Sequence, residues 1–438
     1  MLTNKKKGLY LTISFTILLF SSNIAEGNTL DNVKRTNLTN GLTVILREDH
    51  NLPLCSIQIW LKVGSVYEDN NYGISHFLEH LLFKGTKKYG VGEIAQIIES
   101  LGGRINAGTS KDFTILYFNV PKEGIETALE IATDVLQNTT FPSEEIERER
   151  LVILEEIKRQ DDDPDSVLWN LFNEKMFSSI PYRQRIIGTT ETISKISRED
   201  LLNYYQTYYV PNNASLIIVG DVETNKILLF IKEKFETLLK RELPSPPCLE
   251  ETTQENFFFS EKKPVQQALL LSGFLGPTVE NEDQYALDLL ADILGEGRNS
   301  RLNKNLREEK ELVFSIGSSY LTQKGSGLFI ISARLEPEKI NQVIDEIHQE
   351  LLNLQKEGIS DKELVRAKTL IENGWLFANE TYSGQAHTLG YAVTLKNIEY
   401  AQEYLKNIAQ VKKEDIKFVL DKYFQGKELS TIIFYPEK

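Results

Sequence analysis

The chain runs through one order of elements twice, and that duplication limits the folds open to it. In the first half, runs rich in β-branched and aromatic residues predict strands over Leu42 to Arg47 and Leu54 to Val63. Helices follow from Gly73 to about Phe83 and over Val91 to Leu101, then a strand over Phe113 to Val120. A long helix opens at Pro142 and Ser143 and runs through Arg159; a buried strand over Ala214 to Val219 and a helix over Thr224 to Leu239 complete the half. The second half predicts a strand over Gln267 to Phe274, a helix over Asp283 to Leu294, and strands over Leu312 to Leu321 and Gly327 to Leu335. Helices over Lys339 to Lys356, Asp361 to Glu372 and Lys413 to Tyr423 precede a closing strand over Leu429 to Tyr435. Both halves read as strand, helix, paired strands, helices and closing strand. The expected fold class is α+β, with two homologous domains of α/β-sandwich type.

Length agrees with this division. A chain of 438 residues exceeds one ordinary core, and two domains of about 200 residues are natural. The expected boundaries are a leader at 1–27, a first domain at 28–240, a linker at 241–263 and a second domain at 264–438. The linker is proline-rich, then polar, and Phe257-Phe258-Phe259 begins the next sheet. The leader combines Lys5, Lys6 and Lys7 with an apolar run over Leu9 to Phe20 and a small-x-small site at Ala25-Glu26-Gly27. Twelve helical residues span about 18 Å, against roughly 30 Å of bilayer hydrocarbon. A cleaved secretory signal is therefore expected, and no stable membrane span after its removal. The net charge of −14 argues against nucleic acid as a partner and is compatible with basic peptides. Cys55 reads as a buried strand position and Cys248 as a linker position, so two thiols rather than a disulfide framework are expected.

Only five histidines occur in the chain, and two stand in His76-Phe77-Leu78-Glu79-His80. Residues four apart share a helix face, with Cβ atoms about 5–6 Å from each other. Two imidazoles so placed can grip one divalent metal, and zinc takes nitrogen ligands readily. Glu79 projects to the same side and can reach a metal-activated water without being a ligand. The spacing is the inverted form of the H-E-x-x-H zinc peptidase motif. The competing reading is a pair of surface or capping histidines on an amphipathic helix. His50, His348 and His387 have no second ligand at metal spacing, so a third ligand is sought among carboxylates on another helix. Glu149 and Glu156 lie two turns apart on one face of the long helix, beside Val152 and Ile153. An inward carboxylate there needs a partner; periodicity alone leaves Glu156 undecided between metal and solvent. The helix that takes the corresponding place in the second half, DQYALDLLADILG, has no histidine.

HFLEHLLFKGT, GGRINAGTS, ERERLVILEEI and the second-half LREEKELVF resemble the M16 (pitrilysin, insulinase) peptidases, most closely the short bacterial and mitochondrial-processing-peptidase-like members. The resemblance covers nearly the whole chain after the leader. It implies a duplicated half-clamshell fold and one Zn2+ per chain. It implies that His76, His80 and Glu156 are the metal ligands, Glu79 the general base, and Glu149 an acid that orients the ligands. It raises Glu156 above Glu155. Asn106 and Ala107 match the start of an active-site edge strand that pairs extended or unfolded peptides by strand addition. Arg307 matches an arginine that completes the site from the second half, but the tyrosine seven residues on is replaced by Phe314. A phenyl ring lacks the phenol's hydrogen bond to a developing oxyanion. One reading makes this chain the zinc subunit of a heterodimer whose M16-like partner supplies the tyrosine. In the other, Phe314 is a strand core residue and a homodimer suffices. A third outcome is a catalytically idle or partner-dependent structural subunit. The leader and the bacterial resemblance together imply an exported protein, periplasmic by expectation.

Overall fold

The computed structural model describes residues 30, 32–177, 181–249, 256–424 and 428–437. The expected leader, residues 1–27, lies outside them. The first half contains β1 (Val33–Asn37), β2 (Thr43–Glu48), β3 (Leu54–Leu61), β4 (Arg104–Thr109), β5 (Thr114–Pro121) and β6 (Ala214–Gly220). Its helices are α1 (Ile74–Leu81), α2 (Glu93–Ser100), α3 (Ile125–Asn138), α4 (Ser143–Asp162), α5 (Pro164–Met176), α6 (Thr190–Lys195), α7 (Arg198–Tyr208) and α8 (Thr224–Phe235). The second half contains β7 (Phe258–Lys263), β8 (Ala268–Gly276), β9 (Val313–Leu321), β10 (Gly327–Leu335) and β11 (Ser430–Pro436). Its helices are α9 (Asp283–Gly295), α10 (Ile340–Glu357), α11 (Asp361–Ala378), α12 (Tyr382–Leu395), α13 (Ile398–Gln410) and α14 (Lys413–Phe424).

The duplication holds strand by strand. A six-stranded sheet has the order β1-β2-β6-β3-β5-β4 and a five-stranded sheet the order β7-β11-β8-β10-β9. With β1 set aside, the two orders coincide. The β2–β6 and β7–β11 pairs are parallel, and every other corresponding pair is antiparallel. In each half a helix, α1 or α9, follows the second strand of this set in chain order and precedes the edge strand β4 or β9; the first half adds α2 before β4. The fold class is α+β, as the patterning predicts.

Each half lends a helix to the other half's sheet. Apolar residues of α5, including Leu168 and Phe172, pack with Leu269, Leu271, Leu328, Ile330, Ile432 and Phe434 of the second sheet. Reciprocally, Ala386, Leu389 and Val393 of α12 pack with Ile45, Trp60, Ile217 and Val219 of the first sheet. Every residue of β3 after Leu54 is therefore buried, with Ile57, Ile59 and Leu61 facing the first core and Trp60 facing α12. Gly390 permits the close approach, since a Cβ there would overlap the Trp60 indole. Deleting a fully buried ring such as Phe172 costs about 3–5 kcal/mol, so the exchange ties the halves together. This cross-packing is absent from the local patterning, which reads each half alone. Cys55 is buried in β3 and Cys248 is exposed.

Candidate metal centre

The site begins with the start of α1. Gly73 adopts φ +95°, and a Cβ there would lie 2.6 Å from the Ile187 carbonyl oxygen, so glycine is required. The buried Glu68 carboxylate accepts hydrogen bonds from Gly73 N at 2.7 Å and Ser75 N at 2.9 Å. These satisfy donors that a helix start leaves open. Burial pushes Glu68 up to about 8. Ile74, Phe77, Leu78 and Leu81 are buried, which locks the rotation of α1 and leaves His76, Glu79 and His80 partly exposed together.

Helix α4 supplies the acids. Ile153 and Ile157 anchor it in the first core. Glu156 Oε2 then lies 3.9 Å from His76 Nε2 and 3.7 Å from His80 Nε2. One ligand atom from each residue falls within 4.8 Å of the others. Tetrahedral zinc with bonds of about 2.0–2.1 Å separates its ligand atoms by about 3.4 Å. The donor set fits such an ion, and the two histidine–carboxylate separations need to close by only about half an ångström. His76 Nδ1 is buried without a hydrogen-bond partner. Burial, followed by the neighbouring His80, lowers His76 to about 4, so its imidazole is neutral and free to ligate at neutral pH.

Three contacts orient the cluster. Glu149 Oε2 lies 3.0 Å from His80 Nδ1, and Lys84 Nζ lies 2.7 Å from Glu149 Oε1. Burial opposes ionisation of Glu149, but the hydrogen bonds from Lys84 and His80 prevail and hold it below the usual carboxylate range. Thr109 Oγ1, on the edge strand β4, donates to Glu79 Oε2 at 2.7 Å. Burial raises Glu79 despite that hydrogen bond.

The structure thus brings His76, Glu79, His80, Glu149 and Glu156 together. Asn106 and Ala107 lie on β4, whose outer edge has no strand partner among the described residues. Arg307 is exposed in the π-helical turn 303–309, and none of the described hydrogen bonds or ion pairs joins it to the His76 cluster. Phe314 is not a strand core residue: it is 48% exposed. The edge strand β9 buries Val313 and turns the next side chain outward. Glu68, Lys84 and Thr109 were not found by sequence reasoning. Thr109 stands in GGRINAGTS, and its position beside the motif strand was the available signal.

Residues 43–190 match the family Insulinase (Peptidase family M16), and residues 195–371 match the Peptidase M16 inactive domain. A protein of Rickettsia felis named as an uncharacterized zinc protease is 32% identical over 407 residues, covering 92% of this chain and 98% of its own. The crystal structure of a protease from Helicobacter pylori shares 26% identity and a TM-score of 0.86, covering 92% of this chain and 99% of its own. A Pseudomonas fluorescens structure described as a peptidase M16 inactive domain has a TM-score of 0.86 at 21% identity and covers 93% of this chain and 98% of its own; it supports the fold alone. The chain belongs to the M16 peptidase family.

Proposed function

We propose that this chain is an exported zinc peptidase that hydrolyses extended peptides, with His76, His80 and Glu156 as ligands and Glu79 as general base. The observation that carries the reading is the convergence of two histidine Nε2 atoms and the Glu156 carboxylate beside Glu79. A zinc ion held there supplies Lewis acidity and lowers the pKa of water to about 7. Glu79 takes the water's proton and returns it to the leaving amine. Thr109 holds Glu79 in place, and a carboxylate raised by burial is matched to both halves of that transfer. Glu149 fixes the tautomer and orientation of His80. The free edge of β4 at Asn106 and Ala107 offers main-chain groups to an extended substrate, which gives broad sequence tolerance. No helix of the described residues is long and apolar enough to cross a membrane. The leader carries the proposal of export, to a periplasm. The chain divides ahead of β7, which belongs to the second sheet and so shortens the expected 241–263 linker, with the metal confined to the part before it.

The test is cleavage of a quenched unstructured peptide by wild type and Glu79→Gln, with zinc measured in both. Zinc near one per chain in both proteins, with cleavage lost in the variant, is the expected result. Equal cleavage by the variant removes Glu79 from the mechanism.

A second reading is favoured by Phe314, which is exposed yet carries no hydrogen-bonding group. Here the chain is the zinc subunit of a heterodimer, and an M16-like partner supplies the tyrosine. Full turnover by the purified chain as a homodimer would contradict it.

A further inference from the structure

A cavity of about 630 Å³ opens in the second half among α9, β9, α11, α12 and α13. It lies where the metal centre lies in the first half. In α9, Asp288 and Asp292 stand four apart, and Gly297 follows Asp292 by five residues. In α1, His76 and His80 stand four apart, and Gly85 follows His80 by five. Ala291 takes the position of Glu79. Helix α9 packs on β9 and α11 as α1 packs on β4 and α4.

The walls differ in chemistry from the metal centre. Trp375 and Tyr404 stack with ring centroids 5.1 Å apart. Tyr391, Tyr400 and Tyr320 complete an aromatic lining, and their hydroxyls are already engaged with Thr322 O, Gln284 Oε1 and Pro277 O. They offer ring surface rather than free donors. Asp288 Oδ2 accepts from Tyr404 OH at 2.8 Å. Among the described residues no ion pair reaches Asp288 or Asp292. The nearby Arg366 spends its guanidinium on the main-chain carbonyls of Asp292, at 3.2 Å, and Glu296, at 2.9 Å. Two carboxylates in a largely apolar recess, with Glu296 also in the lining and only Arg366 acting on Asp292 from outside hydrogen-bond reach, are costly. Burial raises both to about 7.

Carboxylates set among aromatic faces complement an organic cation, which ring quadrupoles attract. A hard divalent ion takes about six or more oxygen ligands instead, whereas Tyr320, Trp375, Tyr391, Tyr400 and Tyr404 give this lining its ring faces. We propose that this cavity binds a monovalent organic cation, an alkylammonium or a guanidinium such as a lysine or arginine side chain carries.

The proposal is independent of the peptidase reading, and its test uses ligands with no internal peptide bond to cut. Binding of N-acetyl-arginine amide and N-acetyl-lysine amide to the purified full chain is measured by calorimetry at pH 8.5. n-Butylguanidinium, a single cation without the amides, and N-acetyl-norleucine amide, which has no charge, are the comparisons. The acetyl-arginine amide and n-butylguanidinium are each expected to bind at least about tenfold more tightly than the norleucine amide. The double variant Asp288→Asn, Asp292→Asn abolishes that preference. Equal binding of the charged and uncharged ligands, or a preference that survives the double variant, overturns the site.

Discussion

Helices α1 and α9 hold the same place in two matching sheets but carry opposite chemistries. On α1 the two outward positions are histidines with a glutamate before the second; on α9 they are aspartates with Ala291 between. The facing helices diverge too. Helix α4 brings Glu149 and Glu156, whereas α11 lines its recess with Leu370, Ile371, Gly374 and Trp375. A scaffold position therefore does not dictate its chemistry; the donors placed on it do. The first set has the donors and spacing that a borderline-soft metal takes. The second leaves acids among rings and has alanine where the proposed base stands.

The sharpest way to break this contrast is to remove the proposed base. Glu79→Gln is expected to lower peptide cleavage by about 10²–10⁴-fold, with zinc retained. Glu149→Gln frees His80 Nδ1 of its carboxylate partner and should weaken zinc binding by about 10–100-fold, read by chelator competition. In the second half the expected sign is a gain. Asp288 ordinarily titrates at 3.8, and the fold raises it to about 7. The folded state then binds more protons between those values, so stability falls as pH rises across that window. Asp288→Asn should raise the melting temperature at pH 8 and leave it little changed below pH 4. The shift converts to at most about 4 kcal/mol, reduced by partial solvent access. The smallest effect belongs to Glu68→Gln, which exchanges one of the two acceptors at the start of α1 for a donor. It should cost about 1 kcal/mol in chemical denaturation.

Much of the architecture was legible because it rests on local periodicity. The strand over Gly327 to Leu335 and the helix opening at Asp283 match their predicted starts, since alternation and a full apolar face mark them. The predicted linker range includes all of β7, whose alternating, half-exposed FFSEKK carries little strand signal. Helices α5 and α12 were not read at all. Their apolar surfaces are matched to the other half's sheet, a relation that no local window contains. At the site, His76, Glu79 and His80 announce themselves by spacing. Glu156 does not, because a helix rich in glutamate offers many candidates; only packing of Ile153 and Ile157 decides which one turns inward. Glu68 was hidden for a similar reason, since its partners are the main-chain N–H groups of Gly73 and Ser75.

Anomalous scattering at the zinc edge, from crystals of protein supplied with equimolar zinc, tests the contrast between the halves most directly. The account predicts one peak, between His76 Nε2, His80 Nε2 and the Glu156 carboxylate, and none between Asp288 and Asp292. A peak at the aspartate pair, or no density at the histidines, would contradict it.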